Sequence, residues 1–537
     1  MAILWKRIQL LDRYKLSLWL LPFLFSFIFI RIYNSWDVFL LPHEGDDGGY
    51  FAYSTALLQT HHLNWCAPEF ADNPGFASTC QQQGKPYNNY SPGPAITLLP
   101  FQIFGVLLSK FGIFTPTQTS PLMFWWIIGS FFLLFFSVLL LFEIANLLVK
   151  NRSYAFWTTV FFSTGNIVLY YVYRRPLMAH CSEFFLFFLS VYLLLKNRMF
   201  VLGLSIGLLI ITRYNNAYLG LMAAALVFFA QTSPQKKIQN LTFLALGVLP
   251  AIFVFFLNQY LQTGSLIYKT TQYGPEFSLL GMLALRASNI RRIFDFFMGP
   301  HWGVFWLMPF FFIEVWILAR IAKKSSSRIW KNKTTLISLI LINFFYLNMI
   351  ANLPNHMSYG FRILIPTYCT LHLAFLWVLS FQSPQEAFPK KYIFAGCVTA
   401  VLAIFNLNNF ESNSDTLTLT PHPSIEAGVY RQEFRDRVVI DAPNYAFHSL
   451  KHTITGKALT SLAVTPLAAY PLMAVAENPR IQGNALASKT LAYYQSPKRK
   501  IEDLKDLTLL FQYQIVFLVF LILGGLFLIL SKIIIRK

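Results

Sequence analysis

An acidic cluster, His43-Glu44-Gly45-Asp46-Asp47-Gly48-Gly49-Tyr50, follows the first long apolar run and is the densest group of residues able to do acid–base chemistry. Neighbouring carboxylates raise one another's pKa and can leave one poised to accept a proton. The competing reading is a solvated acidic loop. Basic residues suited to an anionic ligand come later. Lys85 lies in Gly84-Lys85-Pro86-Tyr87-Asn88-Asn89-Tyr90-Ser91-Pro92-Gly93, and Arg174 and Arg175 precede Met178, His180 and Glu183. Arg213 closes Ile211-Thr212-Arg213, and Arg362 closes Ser358-Tyr359-Gly360-Phe361-Arg362. Arginine matches phosphate oxygens two at a time, and a charge beside hydrocarbon needs an opposite partner or a wet cavity. Any single one is explained as well by snorkelling to headgroups. As a set they argue for a shared anion.

Metal chemistry has less support. His61, His62, His301 and His356 have no His-x-x-x-His spacing and no carboxylate cluster at ligand spacing. No cofactor is expected, and a divalent metal is left open. The five cysteines include no CxxC pair. Cys66 and Cys80 share one segment, where a disulfide and free thiols are both open readings. Cys369 and Cys397 fall inside apolar runs and read as packing residues.

The elements that must position these groups are apolar helices. Of 537 residues, 55% are hydrophobic and 12% charged, against roughly 25% charged in a soluble domain. Apolar runs long enough to cross a bilayer, about 20 helical residues each, recur without strand-like alternation, so helices rather than a barrel satisfy the backbone. The net charge of +20 is scattered through short loops instead of forming one stripe, which argues against nucleic acid. Lys150 and Arg152, Lys196 and Arg198, Lys236 and Lys237, Arg320 to Lys333, Lys390 and Lys391, and Lys532 to Lys537 mark alternate loops as cytoplasmic. The alternation predicts an all-α, polytopic bundle of about twelve spans: 16–33, 122–149, 154–172, 183–196, 199–212, 214–230, 241–258, 302–320, 334–350, 361–380, 392–409 and 509–531. Both termini are then cytoplasmic. Residues 95–108 are kept out of the count, in or along the outer interface, because a crossing there would invert every later basic loop. The outer segment 36–121 belongs to a transmembrane domain of residues 1–409. Residues 410–508 form an extracytoplasmic region, and 509–537 the last helix and tail.

With the residues quoted, the sequence resembles the integral-membrane C-type glycosyltransferases, in the branch with aminoarabinose transferases and protein O-mannosyltransferases. In that family an acidic pair opens the first outer loop, followed by an aromatic residue and a helical continuation. Asp46-Asp47, Tyr50 and the stretch Phe51 to Leu58 match it. Lys85, Pro86 and Tyr90 match part of the family's Lys-Pro-Pro-Leu-Tyr-Tyr signature, with Tyr87 in place of the second proline. The family often carries an arginine followed by an acidic residue where this chain has Arg174, Arg175 and then His180; Glu183 can alternatively cap the next helix. Thr212-Arg213, Gly299-Pro300-His301-Trp302-Gly303 and the segment ending at Arg362 resemble further outer-boundary motifs.

The resemblance implies a multi-pass protein of the plasma (inner) membrane whose active site faces the periplasm or exterior. It implies a polyprenyl-phosphate sugar donor and a glycan, lipid or protein acceptor that the sequence does not identify. Asp46 and Asp47 would be catalytic, and Lys85, Tyr50, Tyr90, Arg174, Arg175, His180, Arg213, His301, His356 and Arg362 would bind substrate. A flippase or transporter of a polyprenyl-linked lipid, or a non-catalytic glycan-assembly protein, are the rival readings.

Overall fold

The structure is a computed structural model that describes residues 14–15, 17–18, 46–67, 70, 88, 90–111, 121–174, 176–230, 233–266, 284–298, 308, 310–318, 333–352, 364–380 and 392–400. These residues are helical, with no strand among them. In chain order come α1 (Asp46–Thr55), running into a π turn (Ala56–Thr60), α2 (Gly93–Lys110), α3 (Pro121–Val149), α4 (Arg152–Thr164), α5 (Val168–Arg174), α6 (His180–Leu195) and α7 (Met199–Thr212). A 3-10 turn (Tyr214–Asn216) leads into α8 (Ala217–Ala230), followed by α9 (Pro234–Thr263), α10 (Ala287–Met298), α11 (Lys333–Asn352) and α12 (Ile365–Leu379). Further helical stretches cover 310–318 and 392–400.

Three described helices, α2, α3 and α9, are long and apolar enough to cross a membrane. Five shorter apolar helices accompany them. The sequence predicts about twelve crossings; the expected spans 16–33 and 509–531, part of 302–320, and the region 410–508 lie outside or largely outside the described residues. Expected span 154–172 is two helices, α4 and α5. The chain breaks at Gly165 and Asn166, where the Asn166 side chain accepts from the Val168 amide at 2.9 Å and starts the second helix. At the other end of α4, Asn151 accepts from the amides of Ser153 and Tyr154, a side-chain N-cap. Expected span 241–258 extends to the 30 residues of α9, which ends on Gly264 at φ 69°, a left-handed cap that glycine adopts without cost. Helix α10, inside the expected outer segment 259–302, was not anticipated.

Register between the helices shows where the charges gather. Trp126 and Ser130 of α3 donate to the Pro176 carbonyl just before α6, and Phe136 meets Phe185 further along, so α3 and α6 run the same way. A hydrogen bond from Ser190 to Ser205 closes the α6–α7 hairpin. Helices α7 and α9 pack backbone to backbone: a Cβ on Gly203 would lie 2.2 Å from the Leu244 carbonyl oxygen, and one on Gly247 2.2 Å from that of Phe200. Gly207 faces Ala251 one turn on, so these two helices are parallel. Lys150, Lys196, Arg198, Lys236 and Lys237 therefore share one end of the bundle. Tyr218 stacks on Tyr346 and Met222 meets Asn343, so α11 runs antiparallel to α8 and starts at the basic end with Lys333.

Helix α2 heads the other way. Its Leu98 and Phe101 pack on Gly129, and Gly105 lies against Trp125, so it climbs α3 toward that helix's own start, away from the basic end. Deep among the helices, Glu314 and His372 meet at 2.5 Å, both essentially inaccessible, and the Phe162 ring stacks on the imidazole at 4.1 Å.

Candidate functional site

Several of the residues able to do chemistry gather at the end opposite Lys150, Lys196, Lys236 and Lys237. Helix α1 begins at Asp46, and Asp47 in its first turn is 7% exposed. A carboxylate in the first turn of a helix is favoured by the positive end of the helix dipole. A strap that includes Asn88 and residues 90–93 lies over this helix. Tyr90 covers Gly49 so closely that a Cβ would fall 1.8 Å from its ring, which is why glycine stands there. The Tyr50 and Tyr90 rings meet edge to face at 5.2 Å. Asn88 donates to the Gly49 carbonyl at 2.8 Å, and the Tyr53 hydroxyl to the Tyr90 carbonyl at 2.9 Å.

The same strap is tied to the turn after α7. The Ser91 hydroxyl donates to the Thr212 carbonyl at 2.6 Å, and Gly93 presses on the backbone of Ile211 and Thr212. Next in the chain is Arg213, extended at φ −152° and ψ 120°, which turns its side chain toward α6. Its Nη1 lies 3.6 Å from Glu183 Oε2 and 3.3 Å from His180 Nδ1. His180 Nδ1 is also 3.2 Å from Glu183 Oε2. That nitrogen either donates to the carboxylate or accepts from the guanidinium, so the imidazole can switch partners as its proton moves. Asn216 donates to Glu183 Oε1 at 2.8 Å, and the Tyr171 ring lies 4.2 Å from the imidazole.

Glu183 is fully buried while the Arg213 side chain keeps 14% of its surface open. The carboxylate is thus held by three neighbours, and the guanidinium is the member with access to the outside. A buried ionisable group beside hydrocarbon is costly and needs such partners. Glu183 therefore takes part in this cluster, beyond the helix-capping alternative. Its pairing with Asn216 and Arg213 was not anticipated from the sequence. The signal was an acidic residue in an apolar helix, and the partners were hidden because they arrive 30 residues later, across a turn.

Of the expected site residues, Asp47, Tyr50, Tyr90, His180 and Arg213 are brought to this one end, linked through strap and turn. Asp46 and Arg174 are placed by their helical backbone at the starts and ends of α1 and α5; their side chains lie outside the described residues. Lys85, Arg175, His301, His356 and Arg362 also lie outside them. His61 and His62 are exposed at the end of the π turn. Among the described residues no group of three or more His, Cys, Asp or Glu is placed to hold a metal. Cys66 is disulfide-bonded, which decides the open reading for that cysteine, while Cys181, Cys369 and Cys397 are free thiols. No known protein family, curated protein or solved structure matches the chain.

Proposed function

We propose that this protein is a membrane glycosyltransferase that moves a sugar from a polyprenyl-phosphate carrier to an acceptor hydroxyl on the non-cytoplasmic face. The observation that carries the reading is the gathering of the acidic helix start, the Tyr90 strap and the Arg213–Glu183–His180 cluster at the end opposite the one shared by Lys150, Lys196, Arg198, Lys236 and Lys237. Positive charge in short loops is retained in the cytoplasm, which supports an outside location for that gathering. The disulfide at Cys66 supports the same side, because disulfides persist in oxidising compartments.

In this mechanism the acceptor oxygen attacks the anomeric carbon as the bond from that carbon to the phosphate oxygen breaks. Asp46 takes the acceptor proton, Asp47 orients the acceptor, and the configuration inverts. The leaving phosphate stays on the carrier lipid and is stabilised by Arg213, with Lys85, Arg174, Arg175 and Arg362 as further cationic candidates. Tyr50 and Tyr90 wall the sugar. The donor is already activated, so no nucleotide sugar and no cofactor enter the step. A multi-pass location in the plasma (inner) membrane goes with this reading.

The test is transfer of radiolabelled sugar from a polyprenyl-phosphate donor by the purified protein. Asp46→Asn keeps the shape of the side chain but cannot take the proton, and is expected to lower transfer by about 10²–10⁴-fold with folding retained. Wild-type transfer by a well-folded Asp46→Asn protein would overturn the base assignment. Absence of transfer by the wild-type protein, with carrier movement across vesicles instead, would replace the enzyme by a flippase.

A further inference from the structure

The outer end of α9 carries a residue whose full hydrogen-bonding capacity is spent on the first loop. A glutamine amide can accept twice through oxygen and donate twice through nitrogen. Gln262 does all four. Its Oε1 accepts from the Trp65 indole at 3.2 Å and from the Asn88 backbone amide at 2.8 Å. Its Nε2 donates to the Tyr53 hydroxyl at 2.9 Å and to Asn258 Oδ1 at 3.0 Å. Asn258, one turn earlier, donates to the same Tyr53 hydroxyl at 3.2 Å. That hydroxyl donates onward to the Tyr90 carbonyl. Trp65, Tyr53, Asn88 and Asn258 are all buried.

The identity of this residue matters because its four partners come from four places. Tyr53 belongs to the acidic helix, Trp65 to the loop after it, Asn88 to the strap under Tyr90, and Asn258 to α9 itself. Glutamate would keep the two acceptor contacts but lose both donors, and leucine would lose all four while filling similar volume. A buried polar network of this kind is rigid when complete and costly when broken. Helix α9 is otherwise exposed along much of its length, with Leu249, Phe253, Phe256 and Tyr260 outward, and the Gly203–Gly247 contact fixes it against α7.

We propose that Gln262 is a positioning residue: it sets the first turns of α1, and with them Asp46 and Asp47, against the Tyr90 strap in the geometry needed for transfer. This rests on the glycosyltransferase reading for its catalytic part and on the hydrogen-bond geometry alone for its structural part. A general base displaced by about an ångström forfeits up to about 10²-fold in rate, without touching groups that hold the donor phosphate.

The experiment uses the full-length purified protein with Gln262→Leu, Gln262→Glu and Tyr53→Phe, read by amide hydrogen exchange and by transfer kinetics. Gln262→Leu is expected to speed exchange in residues 46–55 and 88–91, to leave α6 and α7 unchanged, and to lower kcat about tenfold or more at an unchanged KM for the lipid donor. Gln262→Glu should fall between the wild type and Gln262→Leu. Tyr53→Phe combined with Gln262→Leu should add little to either alone, because both break one network. Unchanged exchange at 46–55 and 88–91 would overturn the structural claim. Faster exchange with unchanged kcat, or a loss confined to donor KM, would overturn the positioning role. If the wild-type protein transfers no sugar, the enzymatic reading falls, and the exchange result alone decides whether Gln262 orders the loop. Should Gln262→Leu fail to accumulate, Gln262→Glu carries the same comparison.

Discussion

Glu183 meets His180 one helical turn away on the same helix, with Arg213 and Asn216 closing around it, whereas Glu314 meets His372 from another helix beneath the Phe162 ring. Both carboxylates are buried. The difference lies in what surrounds them. The first has a guanidinium that reaches the surface and two alternative partners for one imidazole nitrogen. The second is a direct contact between two elements inside the bundle. The same two residue types thus stand in a cluster that reaches the surface in one place and in a closed contact between elements in the other, and only the neighbours tell them apart.

The contrast is easiest to break at Glu314. Glu314→Ala leaves His372 buried without its partner, and removing one half of such a pair costs about 3–5 kcal/mol. Thermal and denaturant unfolding of the solubilised protein should register that loss. Glu183→Gln keeps its size and should melt close to the wild type while losing about 10²-fold in sugar transfer. Equal losses of stability in the two variants would mean that both pairs are joints.

Arg213 sharpens the comparison from the open side. Arg213→Ala should cost about 1.5–3 kcal/mol in use of the lipid donor, the range for a charge-assisted hydrogen bond. Arg213→Lys should recover part of it, since the charge remains and the two-pronged fork does not. Steady-state kinetics with varied donor would show this, and an unaltered donor dependence in Arg213→Ala at normal membrane levels would remove it from the phosphate site. The smallest effect belongs to Asn216→Ala. Losing one neutral donor to Glu183 should cost about 0.5–1.5 kcal/mol, visible as a modest drop in transfer with little change in melting. A collapse of the fold would instead make Asn216 a structural keystone.

What could be read from the sequence follows from the range of each signal. Helix α7 occupies Met199–Thr212, the expected span itself, because Arg198 and Arg213 bracket an unbroken apolar run. The start of α3 differs by one residue from expectation for the same reason. The break after α4 was hidden, since Gly165 and Asn166 interrupt an otherwise apolar stretch too briefly to mark two helices. Helix α10 was missed because its strongly mixed sequence, with Arg291, Arg292 and Asp295 among apolar residues, does not resemble a crossing. Its fixing contact, Asn289 to Asn348 and Asn352, joins residues about sixty positions apart. Asp47 was legible as one of two neighbouring carboxylates and Arg213 as a cation suited to an anionic ligand, while Tyr50 and Tyr90 were picked out by the resemblance alone. The arrangement of Glu183 with Asn216, and the role of Gln262, were not, because hydrogen bonds between distant segments leave no periodicity.

The tie between Asn88 and Gln262 spans 174 residues of chain, and this distance also sets a timetable. The ribosome adds roughly 5–20 residues per second, so the partner of the first loop emerges about 10–35 s after the loop itself. During that interval the loop with Tyr53 and Trp65 is already made but cannot close its hydrogen bonds to Gln262. The part of its ordering that rests on Gln262 must therefore follow the insertion of α3 to α9. A ribosome stalled before Gln262 should hold a loop that proteases cut, and one stalled well beyond α9 a loop that resists them.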